Sequence, residues 1–344
     1  MPVRRLLGSI GALVALIAVG CSSTAPDEAT SSDEVNKSKG PARDFAAHPA
    51  ILEVDDADQL YALSDPHGHY DELVKVLAAN HLIASTSPSN DPSKVKWTGG
   101  TAMLLVLGDL IDKGDSSLEV IDMLRALERQ APASGGRVIV TMGNHEAEFL
   151  ADPKNDKATS TGKDATGIDV QLDKSGVDPA KVAACKDTDG RGRWLADLPL
   201  GVRVKKWFFA HGGNTGGRSL ADLRDKLERS IAKNGFGDDD IIGSASILES
   251  QQWYGNPTDG NAGVKEVDGL GHVKHIVFGH DPGAFSDRGR MRQSKNGLLV
   301  KVDVAMGLHE GNTPNPAYLL HISTVGEDSV EVLDAKGEAS KLGD

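Results

Sequence analysis

Residues 102–114 read AMLLVLGDLIDKG, and residues 137–146 read RVIVTMGNHE. Each is a strand-forming run that breaks at a glycine and passes straight into ligating side chains. A continuous apolar run of this length fits a strand buried on both faces, as in a parallel sheet. The polar cluster then falls in a loop at the end of a strand. Residues 58–64 (DQLYALS) form a third such run and enter Asp65-Pro66-His67-Gly68. Between the runs, residues 70–80 place Leu73, Val74, Val76 and Leu77 at helical spacing. Ser116-Ser117-Leu118-Glu119 has the capping-box pattern. It predicts a helix with Leu118, Ile121, Leu124 and Leu127 on its inner side. The first third therefore reads β-α-β-α-β, which predicts an α/β fold with a mainly parallel sheet.

Further along, residues 152–192 are rich in Asp, Lys, Thr and Gly and read as a surface insertion. Residues 202–210 (VRVKKWFFA) read as one strand delivering His211-Gly212-Gly213. A charged amphipathic helix is expected over 218–233, and irregular chain over 235–271 around Trp253-Tyr254. Residues 275–278 (HIVF) form a short strand before Gly279-His280, and 298–304, 317–324 and 329–334 read as closing strands. No repeat of 20 to 50 residues is present.

The polar clusters carry the chemistry. Asp65 and His67 are alternate residues after a strand, so both can reach one ion. Asp109 offers two carboxylate oxygens and can bridge two ions; Asn144 offers an amide oxygen, and His211 and His280 offer imidazoles. Two divalent ions about 3.5–4 Å apart can activate water and clamp both ends of an in-line displacement at phosphorus. Manganese, iron and zinc all suit oxygen and imidazole ligands.

The five clusters, in this order, resemble those of the calcineurin-like metallophosphoesterase superfamily. Within it the chain is similar to the phosphoprotein phosphatases, in particular their bacterial Shewanella-like branch. The resemblance runs from about Asp58 to Met306. It implies an αββα sandwich: two mixed sheets flanked by helices, with a dinuclear metal site at the loop end. It also implies that Asp65, His67 and His280 hold the first metal, that Asn144 and His211 hold the second, and that Asp109 bridges them. His145 would protonate the leaving oxygen, with Asp112 orienting it. Lys113 stands where that family carries a phosphate-binding arginine, and a lysine gives a point charge in place of a planar fork. Arg218, Arg288 and Arg290 are the candidates for a second phosphate contact. The implied reaction is hydrolysis of a phosphate monoester by a metal-bridging hydroxide, on phosphoserine or phosphothreonine in proteins or on small phosphomonoesters. Two alternatives keep the fold: an envelope enzyme acting on nucleotides, dinucleoside polyphosphates or sugar phosphates, and a catalytically dead binding lipoprotein.

The amino-terminal end reads as a separate object. Arg4 and Arg5 precede an uncharged apolar run, 6–20, which has the pattern of a secretory signal. Residues 16–21 (LIAVGC) resemble a bacterial lipobox, with cleavage before Cys21 and lipid on its sulfur. The polar stretch 21–49 reads as a tether, and residues 50–340 as the phosphoesterase domain. The expected location is the cell envelope, lipid-anchored; Ser22 points to the outer membrane of a Gram-negative cell. With Cys21 lipidated, Cys185 stands alone and no internal disulfide forms. The net charge of −13 argues against nucleic-acid partners. Oligomeric state is not legible here.

Overall fold

The computed structural model describes residues 41–84, 91–162, 166–255, 261–310 and 313–343. The signal segment, Cys21 and the tether as far as residue 40 lie outside the described residues. The strands are β1 (Ile51–Val54), β2 (Gln59–Leu63), β3 (Met103–Leu107), β4 (Arg137–Thr141), β5 (Gly201–Val204), β6 (Trp207–Ala210), β7 (His275–Phe278), β8 (Arg292–Gln293), β9 (Leu299–Lys301), β10 (His309–Glu310), β11 (Thr313–Pro314), β12 (Leu319–Ser323), β13 (Ser329–Leu333) and β14 (Ala339–Lys341). The helices are α1 (Tyr70–Ala79), α2 (Ser117–Gln130), α3 (Asn144–Ala151), α4 (Ile168–Lys174), α5 (Pro179–Ala183), α6 (Arg191–Ala196), α7 (Leu220–Asn234), α8 (Asp239–Ile242) and α9 (Val264–Gly269).

Two six-stranded mixed sheets form the molecule, ordered β14-β13-β12-β2-β3-β4 and β1-β5-β6-β7-β9-β8. The pairs β2–β3 and β3–β4 are parallel, as the β-α-β-α-β pattern requires. All five residues of β3 are buried, consistent with its unbroken apolar run. It meets β6 of the other sheet, so the apolar faces of both sheets share one core with Phe208, Phe209 and Phe278. Burying one such Leu or Phe side chain contributes about 1.5–3 kcal/mol.

Several expectations change. Residues 202–210 are not one strand: β5 and β6 form an antiparallel hairpin with Val204 opposite Trp207. The turn falls at Lys205, whose φ is 50°, and Lys206, the two charged residues that interrupt the apolar pattern. Ser116 precedes α2, but its side chain makes no cap bond and turns to Asp115 instead. Within the stretch read as a tether, Arg43 is buried and donates to the carbonyls of His48, Pro49, Ala196 and Leu198, so residues 43–49 are tied to the domain. The stretch 152–192 carries α4, α5 and part of α6, and Ile168, Leu172 and Val182 join the core.

Candidate functional site

The loops after β2, β3, β4, β6 and β7 meet at one place. Backbone bonds lace the first two together: Asp65 N donates to Gly108 O at 3.1 Å, His67 N to Asp109 O at 2.9 Å, and Gly114 N to His67 O at 2.7 Å. A Cβ on Gly108 would strike the backbone of Gly143, so the glycine lets the second and third loops touch. Six residues here hold positive φ between 43° and 66°: Asp65, His67, Asp109, Asp112, Lys113 and His280. Non-glycine residues enter that region only at a cost of about 1–2 kcal/mol each.

Asp109 sits at the centre with its oxygens facing different partners. Oδ1 lies 3.2 Å from His211 Nε2 and accepts from His145 N at 3.1 Å. Oδ2 lies 3.4 Å from His67 Nε2 and 3.8 Å from His145 Nε2. Ligating atoms of His67, Asp109 and His145 all lie within 4.8 Å of one another, as do those of Asp109, His211 and His280. The ring of His280 thus stands with Asp109 and His211, not with His67 and Asp65. It lies 5.0 Å from that of His211, and only the backbone N–H of His280 reaches Asp65, at 3.0 and 3.2 Å. His280 follows β7, the neighbour of the β6 strand that delivers His211, so the two imidazoles arrive on the same side.

The donor set fits bound cations. His67 Nδ1 meets Ile111 O at 2.9 Å and His211 Nδ1 meets Leu107 O at 2.6 Å. A carbonyl only accepts, so each Nδ1 carries its proton and Nε2 is the atom that faces the site. His211 Nε2 faces two acceptor oxygens, Asn144 Oδ1 at 3.0 Å and Asp109 Oδ1 at 3.2 Å. These oxygens call for positive charge, supplied by a proton on Nε2 or by a bound cation in its place. Burial opposes an imidazolium at His211, yet Asp109 and Asp65 outweigh it and push its pKa up to about 10. Burial would raise Asp109, but His211 and His145 hold it well below the usual carboxylate range. Desolvation and the neighbouring His211 lower the half-buried His280 to about 3. Burial and Asp303 push Asp65 up. On the other side, Lys113 Nζ donates to His67 Nε2 at 2.6 Å, a positive group where the ligands converge.

His145 is held differently. Its Nδ1 lies 2.7 Å from Asp112 Oδ2, leaving Nε2 toward Asp109. The other Asp112 oxygen accepts from Ile168 N at 2.7 Å, so the stretch read as a surface insertion anchors the dyad. Gln171 in α4 extends this clamp, donating to Gly114 O at 3.0 Å and accepting from Ser117 N at 2.7 Å.

Two acids went unassigned in the sequence. Glu146 is fully buried and accepts from three backbone N–H groups: Asp109 at 2.9 Å, Leu110 at 2.8 Å and Gly143 at 2.8 Å. Burial, then the neighbouring Asp109 charge, lifts it to about 7. Its place in Gly143-Asn144-His145-Glu146 was the available signal. Glu249 accepts from Asn144 Nδ2 at 2.7 Å and so turns Asn144 Oδ1 toward His211; no motif surrounds it. The arginine candidates are placed elsewhere. Arg218 donates to Thr215 O and lines a cavity with Lys226 and Asp240. Arg288 and Arg290 are exposed, Arg290 beside Tyr318 and Val332. Trp253 is buried against Phe278, while Tyr254 is exposed.

Residues 59–284 match the family described as calcineurin-like phosphoesterase. The chain is similar to Shewanella-like protein phosphatase 2 of Arabidopsis thaliana, 32% identical over 89 residues, covering 26% of this chain and 21% of that protein. It is similar to a symmetrical bis(5'-nucleosyl)-tetraphosphatase of Cronobacter sakazakii, 32% identical over 158 residues, 45% of this chain and 43% of that protein. The matched stretch thus spans less than half the length of these curated relatives. Among solved structures, a cold-active protein-tyrosine phosphatase of a psychrophilic Shewanella species superposes with a TM-score of 0.61 at 19% identity, covering 88% of this chain and 83% of that one. A serine/threonine phosphatase of Saccharomyces cerevisiae gives 0.56 at 14% identity, covering 84% and 85%. At these identities the likeness is one of fold.

Proposed function

Because the chain belongs to the calcineurin-like phosphoesterase family, we propose that it hydrolyses phosphate monoesters with poor leaving groups, above all phosphoserine and phosphothreonine. The carrying observation is the Asp112–His145 pair at 2.7 Å, with His145 Nε2 beside the central Asp109. Asp109, His67 and Asp65 would hold one divalent ion, and Asp109, Asn144, His211 and His280 the other. When bound, such ions supply an activated water and neutralise charge on the phosphoryl oxygens. His145 holds a proton at Nε2 for the departing alkoxide, and Asp112 fixes that ring through Nδ1. General acid catalysis of this kind contributes roughly 10²–10⁴ in rate. Lys113, already reaching His67, supplies the cation for the phosphoryl group. An alkoxide needs a proton to leave, whereas a nucleoside polyphosphate leaves as a stable anion, so a well-oriented acid favours the monoester.

The second reading is dinucleoside polyphosphate hydrolysis, favoured by the longer match to the tetraphosphatase. The purified full chain, loaded in turn with manganese, iron or zinc, is assayed on phosphopeptides, sugar phosphates, nucleotides and diadenosine tetraphosphate. Faster turnover of the phosphopeptides supports the first reading; faster turnover of the tetraphosphate replaces it with the second. We also propose that the protein is lipid-anchored in the envelope, on the pattern around Cys21. Among the described residues no helix is long and apolar enough to cross a membrane. Cys21→Ser should move the protein from the membrane to the soluble fraction, and an unchanged distribution refutes the anchor.

A further inference from the structure

Asn144 and His280 are neutral ligands, and each could present the wrong atom to an ion. An amide turned over exchanges its oxygen for an NH2 group, and an imidazole can carry its proton on either nitrogen. One residue settles both. Glu249 Oε1 accepts from Asn144 Nδ2 at 2.7 Å, which leaves Asn144 Oδ1 toward His211 Nε2 at 3.0 Å. The backbone carbonyl of Glu249 lies 3.1 Å from His280 Nε2. A carbonyl only accepts, so the proton of that ring is on Nε2 and its lone pair is on Nδ1.

Glu249 is itself held by Lys157. The ammonium lies 3.4 Å from Glu249 Oε1 and 2.7 Å from Glu148 Oε1. Glu148 follows Asn144 by four residues in α3, so the two share a helix face. Two carboxylates are thus gathered on one ammonium, and without it they repel. Lys157 is fixed in turn by its backbone. Its N–H donates to Asn155 Oδ1 at 2.9 Å, and its carbonyl accepts from Ser160 Oγ at 2.8 Å. The next residue, Ala158, accepts from Asp169 N at 3.0 Å, and a Cβ on Gly167 would lie 1.9 Å from that same carbonyl oxygen. Ile168, beside Gly167, is the residue whose N–H holds Asp112. One stretch of chain therefore supports the acid dyad on one side and the Asn144–His280 pair on the other.

We propose that Lys157 is a positioning residue: by holding Glu249 and Glu148 together it keeps the Asn144 oxygen and the His280 ring aimed at one of the two ions, and that ion alone depends on it. The inference rests on the two-ion reading of the site and adds to it a residue that touches neither ion nor substrate.

The test reads metal rather than turnover. The full chain, loaded with manganese and passed through gel filtration, is analysed for bound metal and titrated by calorimetry. The parent should hold two ions. Lys157→Met should hold one as the parent does and the other roughly 10–100-fold more weakly, the cost of losing an outer partner of a ligand. Lys157→Arg should restore the second ion, since a guanidinium can span both carboxylates. Adding Glu148→Gln to Lys157→Met should restore it too, because the repulsion disappears with the charge. Lys157 is 40% exposed at its side chain, so the melting temperature of the metal-free chain should not change. Equal weakening of both ions, no weakening of either, no recovery on adding Glu148→Gln, or a fall in metal-free melting temperature that accounts for the metal loss overturns the proposal. A parent that holds a single ion refutes the two-ion reading, and the proposal with it. Where Lys157→Met folds poorly, Glu249→Leu reads the same side and must show the same selective loss.

Discussion

Removing the Glu146 carboxylate should loosen the whole site without touching a proposed metal ligand. Glu146→Ala strips acceptors from the N–H groups of Asp109, Leu110 and Gly143, now bonded at 2.8–2.9 Å. A buried donor left unpaired costs about 1–3 kcal/mol, so three cost about 6 kcal/mol at mid-range. Part of this is offset. Burial lifts the carboxyl from 4.5 to about 7, so keeping it ionised above pH 7 costs the fold about 3 kcal/mol that alanine does not incur. The sign follows from the raised pKa: this cost is absent below pH 4.5, grows as pH rises to 7, and is constant above. The net loss at pH 8 is therefore about 3 kcal/mol. For a domain of this size that is a fall in Tm of about 6–12 °C, read by differential scanning calorimetry with and without manganese. Metal stoichiometry should fall too, because Asp109 and Asn144 lose the clamp that joins their loops. A variant that melts within 2 °C of the parent and binds metal equally would refute the assigned role of Glu146.

Asp109→Asn should weaken metal binding more than any other single ligand change, because both oxygens of Asp109 face imidazoles on opposite sides; metal analysis after gel filtration reads it. His145→Asn should keep metal content but lose roughly 10²–10⁴ in kcat on phosphoserine peptides, with a smaller loss on an aryl phosphate whose leaving group needs less help. Lys113→Ala should raise KM and relieve inhibition by inorganic phosphate. Lys113→Arg should tighten phosphate by at most the ~1.5–3 kcal/mol of one charge-assisted bond; equal inhibition constants in all three forms would make Lys113 a bystander.

The strands that deliver Asp65, Asp109, Asn144 and His280 were legible because each is a short apolar run ending in an uncommon polar cluster. Other features left weaker traces. β1 is four residues behind a polar stretch, and its pairing with β5 lies 150 positions away, where no local pattern records it. The β5–β6 hairpin was hidden because its turn, Lys205 and Lys206, carries no glycine, proline or asparagine to mark it between two apolar runs. Residues 152–192 have the composition of a loop, yet Ile168 and Gln171 hold the loop of Asp112 through a backbone N–H and a side-chain amide. Glu249 and Lys157 pair at 3.4 Å beside Asn144, a contact set by tertiary folding. The place of the His280 ring beside His211 was not legible, because motif order says nothing of which side of Asp109 an imidazole approaches.

The left-handed backbone at Asp65, His67, Asp109, Asp112, Lys113 and His280 bears on how this protein would respond to laboratory evolution. Glycine at any of these positions relieves local strain while deleting a proposed working side chain, and asparagine tolerates the same conformation better than most residues. A library screened for heat resistance alone should therefore accumulate such replacements and drift toward a sturdy, inert relative. Lys113 is the position most exposed to this drift, since it is neither the central bridge nor the acid and its residue type has the least tolerance for positive φ among the six. Hardening the protein without silencing it calls for selecting turnover in the same round and confining diversity to the solvent faces of α2 and α7, where no residue of the site is carried.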